Sequence, residues 1–288
     1  MSDAHPPGAA DLVIQAPQVL REELEILQLM TGACGVEPLE RAECDGYRLH
    51  EPDDIAGVAE ACAAAGYDWG LVPQVRALER VRLVAMDMDS TLITIECIDE
   101  IAALQGVGEK VAAITAAAMR GDIDFRASLE QRVALLAGLP VDALESVYAE
   151  RLRLSPGAPR LFGALQALGA KTLLVSGGFT FFTERLQARL AIDYTLSNVL
   201  EIERGRLTGR IEGDIVDAQA KAACFDGLAR ELRGDDGLCV AIGDGANDLP
   251  MLARADVAVA YHAKPAVRAR ATHAIDHCGL DAVLNLFA

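Results

Sequence analysis

The pattern of apolar and polar positions in the first quarter of the chain predicts a small mixed unit. Apolar residues recur at helical spacing over residues 18–30, and Gly32 is placed to end that helix. Residues 1–18 contain several Pro and Gly residues, which predicts a loose start. Three further elements are predicted: a strand over 45–50, a helix over 53–65 that ends at Gly66, and a strand over 68–72. We therefore expect a small N-terminal α+β domain over residues 1–78.

From residue 81 onward, short apolar runs alternate with amphipathic helical segments. Strands are predicted at 81–86, 171–175, 194–202, 206–211, 238–242 and 256–260, and helices at 160–168, 180–190 and 217–233, with further helices after the last strand. Glu203-Arg-Gly205 between two of the strands is typical of a β-hairpin. This alternation predicts the α/β class, with a Rossmann-like doubly wound parallel sheet and right-handed crossovers, over residues 79–288.

One insertion interrupts this alternation. Residues 97–152 keep helical spacing almost throughout, broken at Gly121-Asp-Ile-Asp124, and they are too many for a simple strand-to-strand crossover. We interpret them as a helical cap, over about 95–153, that lies above the strand ends and excludes water from a reaction.

Composition and charge narrow the choice of partners and compartment. Hydrophobic residues make up 52% of the chain, enough for a sizeable core. The sequence has no run of 18 apolar, uncharged residues, so we expect no membrane span. The net charge of −17 argues against a nucleic-acid partner, whose binding depends on basic patches. Seven scattered cysteines without a C-x-x-C motif, and a start without a secretory signal, predict reduced thiols and a cytoplasmic location.

Two carboxylates stand where the first strand of the large sheet should end. Asp87 and Asp89 directly follow the apolar run 81–86. Ser90 and Thr91 add hydroxyl and backbone N–H groups that can hold an anion. Ligands of open parallel sheets bind beyond the carboxyl ends of the strands. A strand followed by Asp-x-Asp is equally typical of a plain polar turn, so the functional interpretation depends on the other strand ends.

Those other strand ends supply complementary chemistry. Ser176-Gly-Gly178 follows one strand, Gly243-Asp244-Gly-Ala-Asn247-Asp248 follows another, and Lys221 lies near the start of a helix. Each feature alone has an ordinary structural explanation, as a loop or a solvated helix lysine. Their joint occurrence at predicted strand ends favours a single site.

Together these residues suit the hydrolysis of a phosphate monoester, a reaction that needs up to about 10²¹-fold acceleration. Asp87 would be the nucleophile, forming an aspartyl-phosphate. Asp89 would protonate the leaving alcohol and then deprotonate the attacking water. The developing charge calls for cations and donors. Mg²⁺ with Asp244 and Asp248, the Lys221 ammonium, the Ser176 hydroxyl and the Gly177 N–H would provide them.

The same four motifs resemble the signatures of the haloacid-dehalogenase-like phosphatases. They are Asp87-Met-Asp-Ser-Thr, Ser176-Gly, Lys221 and Gly243-Asp-Gly-Ala-Asn-Asp248, and the resemblance covers about residues 80–270. It implies that Asp87 is the nucleophile and Asp89 the acid/base. It also implies that Asp87, the Asp89 carbonyl and Asp244 hold Mg²⁺, that Asp248 supports its water shell, and that Asn247 contacts the phosphate.

The resemblance is closer still to the members that hydrolyse O-phosphoserine to L-serine, the last step of serine biosynthesis. It assigns substrate contacts in the cap to Glu96, Met119, Phe125 and Arg132. The charges fit, since Arg132 can grip a carboxylate in a fork and Glu96 can pair with an ammonium. Taken alone, Glu96 and Arg132 would be ordinary surface charges of a helix.

Two other functions stay open at this point. One is a related phosphatase or phosphotransferase for another small phosphomonoester such as phosphohomoserine; phosphoglycolate fits less well, since it has no amine for Glu96. The other is a non-catalytic regulator that binds phosphate or serine, which is disfavoured because no catalytic position is missing.

The role of residues 1–78 is also open. They carry no catalytic constellation, and a packing or homodimerising domain and a regulatory domain both fit. Some relatives with this resemblance carry a βαββαβ regulatory domain there. This segment does not show the full pattern, so serine sensing does not carry over.

Overall fold

A computed structural model of the protein describes residues 10–288, and its N-terminal part is a four-stranded antiparallel sheet with two helices. The strands are β1 (Ala10–Ala16), β2 (Gly35–Leu39), β3 (Asp45–His50) and β4 (Asp68–Pro73), in the order β2-β3-β1-β4. The helix α1 (Arg21–Thr31) follows β1, and α2 (Val58–Ala65) follows β3. The chain order is therefore βαββαβ, a ferredoxin-like arrangement.

Burial explains why β1 lies inside this sheet. Leu12 and Ile14 pack into the cluster formed with the helices, whereas Val13 points to the opposite face and packs with Leu39 and Val72. Both faces of the strand are covered, so its sequence is almost continuously apolar.

Three expectations for this region were wrong. The loose start over residues 1–18 holds the strand β1; residues 1–9 of that range lie outside the described residues. The full βαββαβ pattern, expected to be absent, is present. The second helix begins at Val58 and not at residue 53, although it ends at Gly66 as predicted.

The second sheet has seven strands in the order β11-β10-β9-β5-β6-β7-β8. They are β5 (Val81–Met86), β6 (Lys171–Phe179), β7 (Tyr194–Glu203), β8 (Arg206–Glu212), β9 (Leu238–Gly243), β10 (Val257–Tyr261) and β11 (His273–Ile275). All neighbours are parallel except β7 and β8, which form the predicted antiparallel hairpin. The expected α/β class with a doubly wound parallel sheet is confirmed. The strand β11 was missed, because only helices were expected after β10.

Helices cover both faces of this sheet. They are α7 (Ala158–Ala167), α8 (Thr180–Leu190), α9 (Ala218–Leu232), α10 (Leu249–Leu252) and α11 (Pro265–Arg268). On β5, Val84 and Met86 pack with the α7 and α8 side, whereas Leu83 and Ala85 pack with the α9 side. Among residues 10–288, no helix combines the length and apolarity needed to cross a membrane.

Four helices between β5 and β6 build a cap. They are α3 (Cys97–Leu104), α4 (Gly108–Arg120), α5 (Phe125–Ala134) and α6 (Asp142–Ser146). Asp124 caps α5 by accepting a 2.7 Å hydrogen bond from the Ala127 N–H, and the left-handed Gly121 ends α4.

The N-terminal sheet rests on the C-terminal end of the chain. The Asp68 carboxylate accepts hydrogen bonds from the backbone N–H groups of Asp276, His277 and Cys278 at 2.7–3.0 Å. Arg48 donates to the Phe287 carbonyl at 2.5 Å. Phe287 itself is 1% exposed, so the two sheets are joined through a buried, partly polar contact.

Candidate active site

The ends of β5, β6 and β9 open into one cavity of about 700 Å³ beneath the cap. β5 is the central strand, and the chain leaves it toward β6 on one side and returns as β9 on the other, the switch point where open α/β sheets bind ligands. Ten of the residues singled out in the sequence line this cavity: Asp87, Asp89, Glu96, Met119, Phe125, Arg132, Ser176, Gly177, Asp244 and Asn247.

Asp87 is held by a buried cation at the floor of the cavity. The Lys221 ammonium lies 2.8 Å from Asp87 Oδ2 and 3.0 Å from Asp248 Oδ1, and it is 1% exposed. Asn247 Nδ2 donates to Asp87 Oδ2 at 3.2 Å, and the Met88 N–H donates to Oδ1 at 2.7 Å. The carboxylate that the sequence predicted as nucleophile is therefore fixed in orientation by three donors.

The pKa values of Lys221 and Asp248 depend on the charges beside them. Burial alone would lower the pKa of Lys221, but the carboxylates of Asp248 and Asp87 outweigh it and raise that pKa. Burial, with the nearby Asp87, raises the pKa of Asp248, while Lys221 opposes the rise. Lys221 is thus a permanent ammonium, and removing it would leave two buried carboxylates side by side.

The environment of Asp89 differs from that of Asp87, which is paired with Lys221. Desolvation, with the Glu96 and Asp87 carboxylates, raises the pKa of Asp89 well above its ordinary value. Its Oδ1 is buried with no hydrogen-bond partner among the described residues. A raised pKa and an oxygen without a partner suit the role of a general acid.

The end of β6 around Gly177, where the pairing with β7 is irregular, approaches the same place, and we call it the Gly177 loop. Ser176 Oγ accepts a hydrogen bond from the Gly178 N–H at 2.9 Å, and a Cβ on Gly178 would lie 2.7 Å from Met88 Cε, so a larger residue there would have to displace the end of the Met88 side chain. Asn198, within β7, donates to the Gly177 carbonyl at 2.8 Å and accepts from the Val216 N–H at 2.8 Å. The two hydrogen bonds of Asn198 therefore fix the position of the Gly177 backbone.

Three carboxylates can hold a cation at this site. One oxygen each of Asp87, Asp244 and Asp248 lies within 4.8 Å of the others. Desolvation and the Asp87 charge raise the pKa of Asp244, as expected of carboxylates crowded together. An all-oxygen donor set of this kind fits a hard divalent ion.

The cap faces the floor with two opposite charges. Glu96 accepts a 2.8 Å hydrogen bond from Ser90 Oγ, and desolvation raises its pKa. Desolvation lowers the pKa of Arg132, while Asp99 and Glu96 oppose that effect. Phe125 touches the floor, since a Cβ on Gly177 would lie 3.0 Å from Phe125 Cζ. The cap therefore contacts the end of β6 around Gly177.

Four residues that the sequence reasoning did not single out also belong to the site. Lys264, Thr115 and Ser128 line the cavity, and Asn198 orders the Gly177 loop. Lys264 follows β10 at the same sheet edge, a signal that could have been used, whereas Asn198 lies within β7, where no such signal marks it. Thr115 and Ser128 lie on cap helices, where no sequence pattern separates a cavity-facing hydroxyl from an exposed one.

Comparison with known proteins places this geometry in a family. Residues 84–253 match the haloacid dehalogenase-like hydrolase family. A phosphoserine phosphatase of Polaromonas sp. (strain JS666) is 54% identical over 214 residues, which are 73% of this chain and 91% of that protein.

Two solved structures resemble nearly the whole chain. A probable phosphoserine phosphatase from Vibrio cholerae, in unliganded form, is 38% identical with a TM-score of 0.82, covering 96% of this chain and 86% of that one. A HAD family hydrolase from Salmonella enterica serovar Typhi is 33% identical with a TM-score of 0.87, covering 97% and 98%.

Proposed function

Because the chain belongs to the haloacid dehalogenase-like hydrolases, we propose that its cavity hydrolyses a phosphate monoester and that this ester is O-phospho-L-serine. The product, L-serine, makes this the last step of serine biosynthesis. The relatives named above support the substrate, since phosphoserine phosphatases reach 54% identity with this chain.

One observation carries the proposal: Asp87, which is paired with the buried Lys221, lines the same cavity as the opposite charges of Glu96 and Arg132. The first pair suits the phosphate, and the second suits an ammonium and a carboxylate. O-phosphoserine is a small molecule that carries all three groups.

The first chemical step forms an aspartyl-phosphate. An Asp87 oxygen attacks phosphorus, and the bond from phosphorus to the serine oxygen breaks. The electron pair stays on that oxygen, which takes the proton held by Asp89. The raised pKa of Asp89 favours its protonated form, as a general acid requires. Lys221 and Asn247, both bonded to Asp87, hold the nucleophile in line.

The second step releases phosphate. Asp89, now a carboxylate, takes a proton from a water molecule whose oxygen attacks phosphorus. The bond between Asp87 and phosphorus breaks, and Asp89 is left protonated for the next cycle. The Ser176 hydroxyl and the Gly177 N–H lie at the cavity wall to hold phosphate oxygens in both steps.

We further propose that Asp87, Asp244 and the Asp89 carbonyl hold Mg²⁺, with Asp248 supporting its water shell. Carboxylate and carbonyl oxygens are the ligands this ion prefers. When bound, the ion supplies positive charge beside the negative phosphate oxygens.

The cap residues would bind the amino-acid part of the substrate. Arg132 would grip the carboxylate, Glu96 would pair with the ammonium, and Met119 and Phe125 would pack around the carbon atoms between them. Met119 is 68% exposed and Phe125 36%, so both offer apolar surface to a bound molecule.

Residues 79–288 are proposed as the catalytic unit, with the cap over about 95–153. Residues 1–78 are proposed as a separate domain without a catalytic group. Among residues 10–288, none that lines the cavity precedes Asp87.

Phosphate release from a panel of phosphomonoesters tests the function. O-phosphoserine should give the highest kcat/KM, ahead of phosphohomoserine and phosphoglycolate. The Asp87→Asn variant, which removes the nucleophile, should be folded and inactive on all of them. Near-wild-type release by this variant would contradict the mechanism, and preference for another ester would contradict the substrate.

A further inference from the structure

Ser128 is a buried hydroxyl without a partner. The residue lies in α5, is 1% exposed and lines the cavity. Its Oγ has no hydrogen-bond partner among the described residues. Buried hydroxyls are nearly always paired, so one that is not calls for an explanation.

The helix itself gives no reason for a serine here. Ser128 lies inside α5, and its backbone N–H already bonds the Asp124 carbonyl at 3.0 Å. Alanine is the better helix former and would leave no unpaired hydroxyl. The hydroxyl is therefore unfavourable for folding alone, which points to a partner that arrives with a ligand.

The position of Ser128 identifies that partner. Arg132 lies one helical turn further along α5, on the same face, and its Nε donates to the Ser128 carbonyl at 3.3 Å. Both side chains line the cavity on the cap side, opposite Asp87. An anion gripped by the Arg132 guanidinium would come within reach of the Ser128 hydroxyl.

We propose that Ser128 is a specificity-determining residue whose hydroxyl donates to the substrate carboxylate bound by Arg132. The inference rests on the proposed function and adds a second donor to the carboxylate subsite. A substrate without a carboxylate would leave the Ser128 hydroxyl unpaired, so the site discriminates against such esters.

Three substrates separate the carboxylate from the rest of the molecule. O-phosphoserine has a carboxylate and an ammonium, phosphoglycolate has only the carboxylate, and O-phosphoethanolamine has only the ammonium. For Ser128→Ala, kcat/KM should fall by roughly 10- to 100-fold for the first two, as expected for a lost hydrogen bond to a charged group. The loss should lie mainly in KM. Hydrolysis of O-phosphoethanolamine should be unchanged.

The melting temperature separates this role from a purely structural one, because a structural role would make Ser128→Ala less stable than the wild type. Ser128→Ala should melt at the same temperature as the wild type or higher, because the helix gains alanine and loses an unpaired hydroxyl. Ser128→Thr keeps a hydroxyl and should recover most of the activity on O-phosphoserine. Ser146→Ala, at a half-buried position of α6 that does not line the cavity, is the control and should change neither quantity appreciably.

The outcomes separate the two proposals. An equal loss for all three substrates, no loss for any, or a lower melting temperature with no recovery in Ser128→Thr would overturn the role of Ser128. The proposed function would survive these results as long as the wild type prefers O-phosphoserine. A wild type that treats O-phosphoserine and O-phosphoethanolamine alike would overturn both.

Discussion

Replacing Lys221 with Met should destabilise the protein strongly. The change keeps most of the side-chain volume but removes the ammonium that lies 2.8 Å from Asp87 and 3.0 Å from Asp248. Lys221 is 1% exposed, so water cannot take the place of the ammonium. Breaking a buried ion pair by removing one partner costs about 3–5 kcal/mol. With two partners we expect the upper end, a large share of the about 5–15 kcal/mol that holds typical domains folded.

The assay is urea denaturation of wild type and variant in the presence of a chelator, so that a bound ion cannot neutralise the carboxylates. Lys171→Met is the matched control. Lys171 pairs with Asp193 at a similar distance, 2.7 Å, but its side chain is 46% exposed, so its removal should change the unfolding free energy little. Equal losses in the two variants would refute the reasoning that burial sets the effect.

The loss of unfolding free energy in Lys221→Met should also depend on pH. Burial and Asp87 already raise the pKa of Asp248 in the wild type, and losing the ammonium should raise it further. A carboxyl group with a raised pKa binds its proton more tightly in the folded state than in the unfolded state, so acid favours folding. The destabilisation should therefore shrink as the pH falls and grow as the pH rises through that raised pKa. A loss that is independent of pH would contradict this.

Three further predictions concern the chemistry and the N-terminal unit. Asp89→Asn should slow O-phosphoserine hydrolysis by about 10²–10⁴-fold, yet show a stoichiometric burst with 4-nitrophenyl phosphate, whose leaving group needs no proton; a burst-free slow rate on both esters would contradict the two roles of Asp89. Exhaustive chelation should abolish phosphate release and Mg²⁺ should restore it, whereas full activity without divalent ions would exclude the metal. A chain beginning at Leu78 should keep its rate per folded molecule but unfold more easily, because the hydrogen bonds of Asp68 and Arg48 to the C-terminal end of the chain are lost; complete inactivity of a folded, soluble chain would show that the N-terminal sheet completes the site.

The site was predictable because its parts stand at strand ends. Asp87, Ser176 and Asp244 each follow a short apolar run, and parallel strands bring their carboxyl ends to one edge of a sheet. Glu96 and Arg132 needed the family resemblance, because a charge on an amphipathic helix looks the same whether it faces a cavity or water. Ser128 could not be found at all, since only the packing of α5 buries its hydroxyl.

The missed strands have separate causes. β1 is buried on both faces and lacks the alternation that marks a half-exposed strand, and it follows a start rich in Pro and Gly. β2 contains Pro38, which reads as a loop residue, but β2 is the edge of its sheet, where proline is tolerated. β11 has three residues, too few for any periodicity. Without β1 and β2, the ferredoxin-like order could not be recognised from the sequence.

The assignment to O-phosphoserine depends most directly on the two cap charges, Glu96 and Arg132, binding the amino-acid part of the substrate. The decisive measurement is kcat/KM for O-phosphoserine and for 4-nitrophenyl phosphate in wild type, Arg132→Ala and Glu96→Gln. Arg132→Ala should lose about 2–5 kcal/mol of transition-state binding for O-phosphoserine, the typical effect of breaking a buried charge pair, and Glu96→Gln should also lower it. Both should affect the aryl phosphate far less, because it carries neither a carboxylate nor an ammonium. If each substitution lowers the two substrates by the same factor, Glu96 and Arg132 do not read the amino acid, and the assignment to O-phosphoserine is wrong.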